Sequence, residues 1–139
     1  MSRQAPPARP VPQDEHGQLL FDVFAQDCPS RFAMEHVTSR WGLLSLIALR
    51  DGPARFNALR RRVSGVSEKM LSQTLQALER DGFVHRDAQP TIPPRVDYSL
   101  TPLGEEIANR LWRVIEQLEG RMPAILAAQE RYDQAKSGR

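Results

Sequence analysis

Apolar side chains recur at helical spacing along most of the chain, and the period switches only once. Phe32, Ala33 and Val37, with His36 between them, place a first helix over 30–38, and Pro29 sits where a helix begins. Trp41, Leu44, Leu46, Ile47 and Leu49 leave few polar positions in a second helix over 41–49, the expected buried centre, which Asp51-Gly52-Pro53 stops. Phe56, Leu59 and Val63 form a short stripe ending at Ser64-Gly65. Ser67 then stands as an N-cap before Met70, Leu71, Thr74, Leu75 and Leu78, the inward face of a helix that Asp81-Gly82 closes. Two short helices joined by a tight glycine-containing turn have the shape of a helix-turn-helix.

After Gly82 the apolar period falls from 3.6 to 2. Phe83–Arg86 and Arg95–Leu100 read as paired strands, and Pro90, Pro93 and Pro94 force a projecting loop between them. A hairpin directly after a helix-turn-helix makes a winged helix. Thr101 and Pro102 open a long helix, with Glu105 and Glu106 near its positive end. Its stripe through Ile107, Leu111, Ile115, Leu118, Met122 and Ile125 is longer than a three-helix core can cover, while Gly120 and Pro123 invite a kink or a split. At the other end, the proline-rich residues 1–18 predict a flexible tail, and the apolar run Leu19–Phe24 predicts a segment that packs down.

Charge sharpens this picture. Residues 55–96 hold eight basic and four acidic side chains, whereas 1–54 and 97–139 each carry one more acidic than basic. A cationic centre between nearly neutral ends suits a local anionic partner, nucleic acid first among them, although a solvated basic face gives the same count. The helix after Ser67 presents Ser67, Lys69, Ser72, Gln73 and Gln76, with Arg80 further on, side chains of the kind that reach base edges and phosphates. Ser67, Ser72 and Gln73 are candidates for base edges and Lys69 for phosphate or guanine. Arg60, Arg61 and Arg62 fan around the preceding helix, so only one or two of them can meet phosphate. Arg86 and Arg95 bracket the wing loop, where one could enter a minor groove; for Arg95 a hydrogen bond inside the hairpin is the competing reading.

At this point the ordered residues resemble the HxlR-type regulators, winged-helix proteins allied to the MarR class. The resemblance is carried by Cys28-Pro29, Arg40-Trp41, Arg55-Phe56 with Leu59, Gly65-Val66-Ser67-Glu68-Lys69-Met70-Leu71, Asp81-Gly82, and Pro93-Pro94-Arg95-Val96-Asp97-Tyr98-Ser99-Leu100-Thr101 with Gly104. Thr38-Ser39-Arg40 replaces the usual Gly-Gly-Lys before the tryptophan, a change expected to stiffen that turn. The resemblance implies a mainly α fold with a small β-hairpin wing that dimerises through its terminal helices. The recognition helix would span about 67–81, the wing about 83–100 and the dimerisation helix about 101–136, within one domain over 19–139. It also implies a homodimer on pseudo-palindromic double-stranded operator DNA. Arg55, Arg61, Arg62, Ser67, Lys69, Ser72, Gln73, Gln76, Arg86 and Arg95 are the DNA-facing set. Phe32, Leu111, Ile115, Leu118, Met122 and Ile125 are the interface set, with Trp112 beside them as either interface core or the wall of a ligand pocket.

Cys28 is the only cysteine, which excludes an intrachain disulfide and fits a reducing compartment. It precedes a helix start, where the dipole favours thiolate, so it reads either as a sensor of a small oxidant or electrophile or as a small buried hydrophobe. Some HxlR-type members respond through a cysteine at this position. His16, His36 and His85 are too scattered for metal ligation, and neither a metal nor a cofactor is expected. The opening MSRQAPPARPVPQDE lacks the apolar stretch of a signal peptide, and no segment suits a membrane, so a cytoplasmic location is expected. Two other classes compete. A winged-helix module that binds protein leaves the basic centre unexplained. A cysteine-dependent enzyme lacks an oriented base, because Cys28 and His36 lie eight residues apart.

Overall fold

The computed structural model describes residues 11–138. Six helices and three short strands follow in the order α1 (Pro29–Thr38), α2 (Arg40–Leu49), β1 (Ala54–Arg55), α3 (Phe56–Arg62), α4 (Glu68–Arg80), β2 (Val84–Gln89), β3 (Arg95–Leu100), α5 (Pro102–Gly120) and α6 (Met122–Ser137). Local chemistry sets most boundaries. Pro29 and Pro102 occupy first turns, where a missing N–H costs nothing. Ser67 Oγ accepts from the Met70 N–H at 3.1 Å and Thr101 Oγ1 from the Gly104 N–H at 3.0 Å. Ser39 alone separates α1 from α2: its N–H bonds the Glu35 carbonyl and its Oγ accepts from the Gly42 N–H. The unusual Thr38-Ser39-Arg40 therefore makes a one-residue joint.

Leu46 and Leu49 of α2, Leu59 of α3, Leu71, Leu75 and Leu78 of α4, Val84 of β2 and Ala108 of α5 form one buried cluster, closed by Val63, Val66 and Phe83. Each fully buried leucine stabilises the fold by about 2 kcal/mol. Gly65 permits the turn between α3 and α4 with φ +94°, a left-handed conformation that a Cβ would strain. The sheet is antiparallel with order β1-β3-β2. β2 and β3 pair from Val84↔Leu100 to Gln89↔Arg95, further along the wing than the alternation over 83–86 predicts. β1, a two-residue strand absent from the sequence reading, pairs Ala54↔Tyr98 and Arg55↔Asp97 and so ties the start of α3 to the wing.

Of the two outcomes that Gly120 and Pro123 leave open for the long helix, the structure has the split: it falls at Arg121, with Pro123 in the first turn of α6, and α6 buries no residue within the chain. Phe32, in the expected interface set, is 8% exposed within its own chain. The arm before α1, residues 11–27, holds the run Leu19–Phe24 against the start of that helix, where the Asp22 N–H reaches the Cys28 thiol and Arg31 donates to the Val23 carbonyl. The apolar side chains of the run nevertheless stay exposed, Phe24 to 90%. Of the tail expected over 1–18, residues 1–10 lie outside the described residues, while Gln13 and Leu19 pair across a turn at Asp14–Gly17.

Ser45 is fully buried on α2, and its hydroxyl has no hydrogen-bond partner among the described residues. An unpaired buried hydroxyl costs about 1–3 kcal/mol of desolvation, so Ser45→Ala is expected to raise stability by about 1 kcal/mol. A higher urea midpoint with unchanged slope is the expected readout; a lower midpoint would mean that the hydroxyl is stabilising.

Candidate nucleic-acid interface

Helix α4 is amphipathic because its leucines recur at three and four residues. With Leu71, Leu75 and Leu78 inward, the opposite face carries exposed Lys69, Ser72, Gln76 and Arg80. Ser67 also stays exposed, although its oxygen already serves the helix as a cap. Gln73 lies at the margin of this face: it is half-buried, and its Oε1 is enclosed without a partner among the described residues. The structure thus shifts the accessible amide from Gln73 to Gln76.

The arginines of α3 divide as their fan predicts. Arg60 pairs with Glu68 at 3.4 Å and Arg62 with Asp51 at 3.6 Å, both on the open surface. No ion pair involves Arg61 among the described residues, and Arg55 is exposed at the N-cap of α3. On the wing, Arg86 projects from β2, likewise without an ion pair among the described residues. Arg95 Nε donates to Asp97 at 3.1 Å, which is the hairpin bond weighed against DNA contact. Exposed ion pairs of this kind are worth about 0–1 kcal/mol and exchange readily for a phosphate.

Cys28 sits at the N-cap of α1, 9% exposed. The Ser30 hydroxyl at 3.3 Å and then the Asp22 N–H at 3.4 Å hold its thiol below the ordinary cysteine value, against burial and the Asp22 carboxylate. The arm folds over it, and Val11, Pro12, Leu20, Phe21, Ala25 and Cys28 line a cleft of about 560 Å³. Because a depressed thiol stays ionised until pH falls through its lowered value, iodoacetamide labelling should reach half its maximal rate below the pH of about 8.5 that governs a free cysteine. Ser30→Ala should move that midpoint upward. A midpoint at or above the free-cysteine value would remove the activating role of Ser30.

Two contacts escape sequence reasoning. His36 Nδ1 and Asp81 Oδ2 meet at 2.5 Å, each side chain only 16% exposed, and join the last turn of α1 to the C-cap of α4. A pair separated by 45 positions leaves no local signal. Arg50 donates to Asn109 Oδ1 at 2.9 Å and lies 5.2 Å from the Trp112 ring centroid, so this tryptophan carries a cation on its face. Among the described residues no group of three or more His, Cys, Asp or Glu could hold a metal ion, and no helix is long and apolar enough to cross a membrane.

A helix-turn-helix built on α3 and α4, followed by a β2–β3 ribbon, defines a winged helix-turn-helix protein, the architecture of transcription regulators. The chain belongs to the HxlR-like helix-turn-helix family, whose profile matches residues 36–125. It is 53% identical over 109 residues to the HTH-type transcriptional regulator YtfH of Escherichia coli (strain K12), covering 78% of this chain and 86% of that protein. Among solved structures it resembles the transcriptional regulator ytfH from Salmonella typhimurium, with TM-score 0.75 and 53% identity over 80% of this chain and 99% of that one. The redox regulator HypR in its oxidised form aligns with TM-score 0.61 and 33% identity, over 67% of this chain and 96% of HypR.

Proposed function

We propose that this regulator binds a pseudo-palindromic operator as a homodimer and that modification of Cys28 by a small oxidant or electrophile changes its affinity. The carrying observation is the exposed face of α4. Ser72 and Gln76 offer hydroxyl and amide groups at base-edge reach, and Lys69 and Arg80 flank them with positive charge. Arg55, Arg61 and Arg62 at and along α3 and Arg86 on the wing are exposed and serve phosphates, which position the protein without reading sequence. Ser67 and Gln73 stand at its border, the first capping the helix start and the second half-buried. The target being chromosomal, the site of action is the cytoplasm.

Dimerisation accounts for the apolar surface that the chain leaves open. Val114 and Leu118 of α5 and Met122 and Leu126 of α6 are exposed, with Leu111, Ile115 and Ile125 half-buried along the same stripe. Such a stripe on a small protein calls for a second copy, and two-fold symmetry then sets two α4 helices about one DNA turn apart. The redox part draws support from the likeness to HypR and from the activated thiol. The His36–Asp81 bond gives α1, which begins beside Cys28, a direct hold on the end of α4.

The test is retrieval of duplexes from a random pool by the full chain, followed by footprinting and by repetition after mild oxidation. Two inverted half-sites about 10 base pairs apart, or a multiple of that, are expected, and oxidised wild type but not Cys28→Ser should change affinity. Enrichment of no common sequence would contradict the operator reading. Unchanged affinity despite Cys28 modification, seen by mass spectrometry, would contradict the switch alone.

A further inference from the structure

The wing ends in Pro90-Thr91-Ile92-Pro93-Pro94, and at its tip Ile92 is 101% exposed. A single exposed aliphatic residue is ordinary on a protein surface; its mounting here is not. The Thr91 N–H bonds the Gln89 carbonyl at 2.9 Å and Thr91 Oγ1 donates to the Pro93 carbonyl at 2.9 Å, while the three prolines fix their own φ angles. The tip is therefore pre-shaped, and a contact through Ile92 costs little backbone entropy. Beyond Val84 the residues of β2 are exposed up to Gln89, so the ribbon carries this tip out from the core, over a strand length of about 20 Å.

The cation expected to lead the wing is held elsewhere. Arg95 is bonded to Asp97 two residues along its own strand, and Arg86 lies three ladder positions back from the Gln89↔Arg95 end. What leads the ribbon is a branched hydrocarbon, with arginines behind it to meet phosphates.

We propose that Ile92 is a specificity-determining residue that seats in the DNA minor groove beside each half-site and favours A·T over G·C there; this rests on the operator reading above. The groove is about 6 Å wide, and the floor differs between pairs chiefly by the guanine 2-amino group. A sec-butyl group fits between the sugar walls over an A·T floor. Over G·C the same side chain meets the protruding amino group and strips its water without offering an acceptor. The preference thus comes from exclusion, at pairs that no major-groove side chain touches.

The experiment uses the full chain and the best duplex recovered from the random pool. The pairs flanking each half-site that wild type protects from hydroxyl radicals are replaced in turn by A·T, G·C and inosine·C. Inosine keeps the major-groove edge of guanine but lacks its 2-amino group. Wild type should bind A·T and inosine·C alike and G·C about tenfold more weakly, in line with typical base discrimination. Ile92→Ala should lose that discrimination and weaken the A·T duplex about fivefold, as loss of a small buried apolar area implies, while Ile92→Val retains most of both. Because Ile92 is fully exposed, folding is not at issue. Discrimination intact in Ile92→Ala, equal penalties for inosine·C and G·C, or no flanking protection would each overturn the proposal. If wild type retrieves no duplex at all, the operator reading fails and the proposal with it; if wild type binds but Ile92 variants behave alike, only the proposal fails.

Discussion

A chain ending at Gly120 should fold as a monomer and bind the operator at least a hundredfold more weakly than the full chain. Helix α6 contributes no buried residue, and the core closes without it through Ala108 of α5. What α6 adds is Met122, Ile125 and Leu126, which extend the open stripe of Val114 and Leu118. Losing roughly half of that stripe removes much of the surface proposed to receive a second copy. A monomer then engages one half-site, without the gain of about 10²–10⁴ that linking two sites provides. Sedimentation velocity and fluorescence anisotropy on the same preparation check both halves. A truncated chain that remains dimeric would place the interface on the arm and α1 instead. The cut must leave Ala108 in place, because that residue is fully buried and belongs to the core.

The second large effect is expected from one methyl group. A Cβ at Gly104 would stand 1.9 Å from the Phe83 carbonyl oxygen and 2.8 Å from its carbon, and both are backbone atoms at the α4–β2 junction. The same junction accepts the Thr101 N–H at 3.1 Å, through Phe83, and Thr101 Oγ1 at 2.6 Å, through the Gly82 carbonyl. To admit alanine, α5 must lift away and stretch both bonds. Overpacking costs about 1–3 kcal/mol and each lost hydrogen bond about 1 kcal/mol, so Gly104→Ala should destabilise by about 3–5 kcal/mol. Gly120→Ala is the control with opposite sign. Nothing lies within 4 Å of its Cβ position, and exchanging a helical glycine for alanine should gain about 0.5–1 kcal/mol. Urea midpoints measure both; a near-neutral Gly104→Ala would show that the junction yields without cost.

The helices were legible because each carries its own signal: leucines three and four apart in α4, a serine cap before it, and Asp81-Gly82 after it. The wing was legible from the change to period 2 and from the prolines. β1 was not, since two residues have no period and its pairing with Tyr98 and Asp97 is long-range. The burial of Phe32 and the exposure of Phe24 were equally invisible, because an apolar residue does not announce which neighbour covers it. At the interface, side-chain type pointed to α4 as a whole, but angle around the helix decides reach. Gln73 and Gln76 are the same residue type three positions apart, and only Gln76 stands clear. Arg95 illustrates the reverse: its competing hairpin bond was readable from Asp97 two residues on, and the structure contains it.

On the proposed reading, α4 discriminates sequence while the arginines of α3 and the wing supply charge. The most direct measurement is anisotropy of the full chain on a recovered operator and on a scrambled duplex, across a salt titration, for wild type, Gln76→Ala and Arg61→Ala. If each subunit neutralises about four phosphates, the log–log salt slope for the dimer should be near −7, and the operator should be preferred by roughly 10³ or more over the scramble. Gln76→Ala should cut that ratio by about 1–3 kcal/mol, while Arg61→Ala should lower both affinities together and make the slope shallower by about two phosphates. Equal affinity for operator and scramble, or a slope near zero, would contradict the claim.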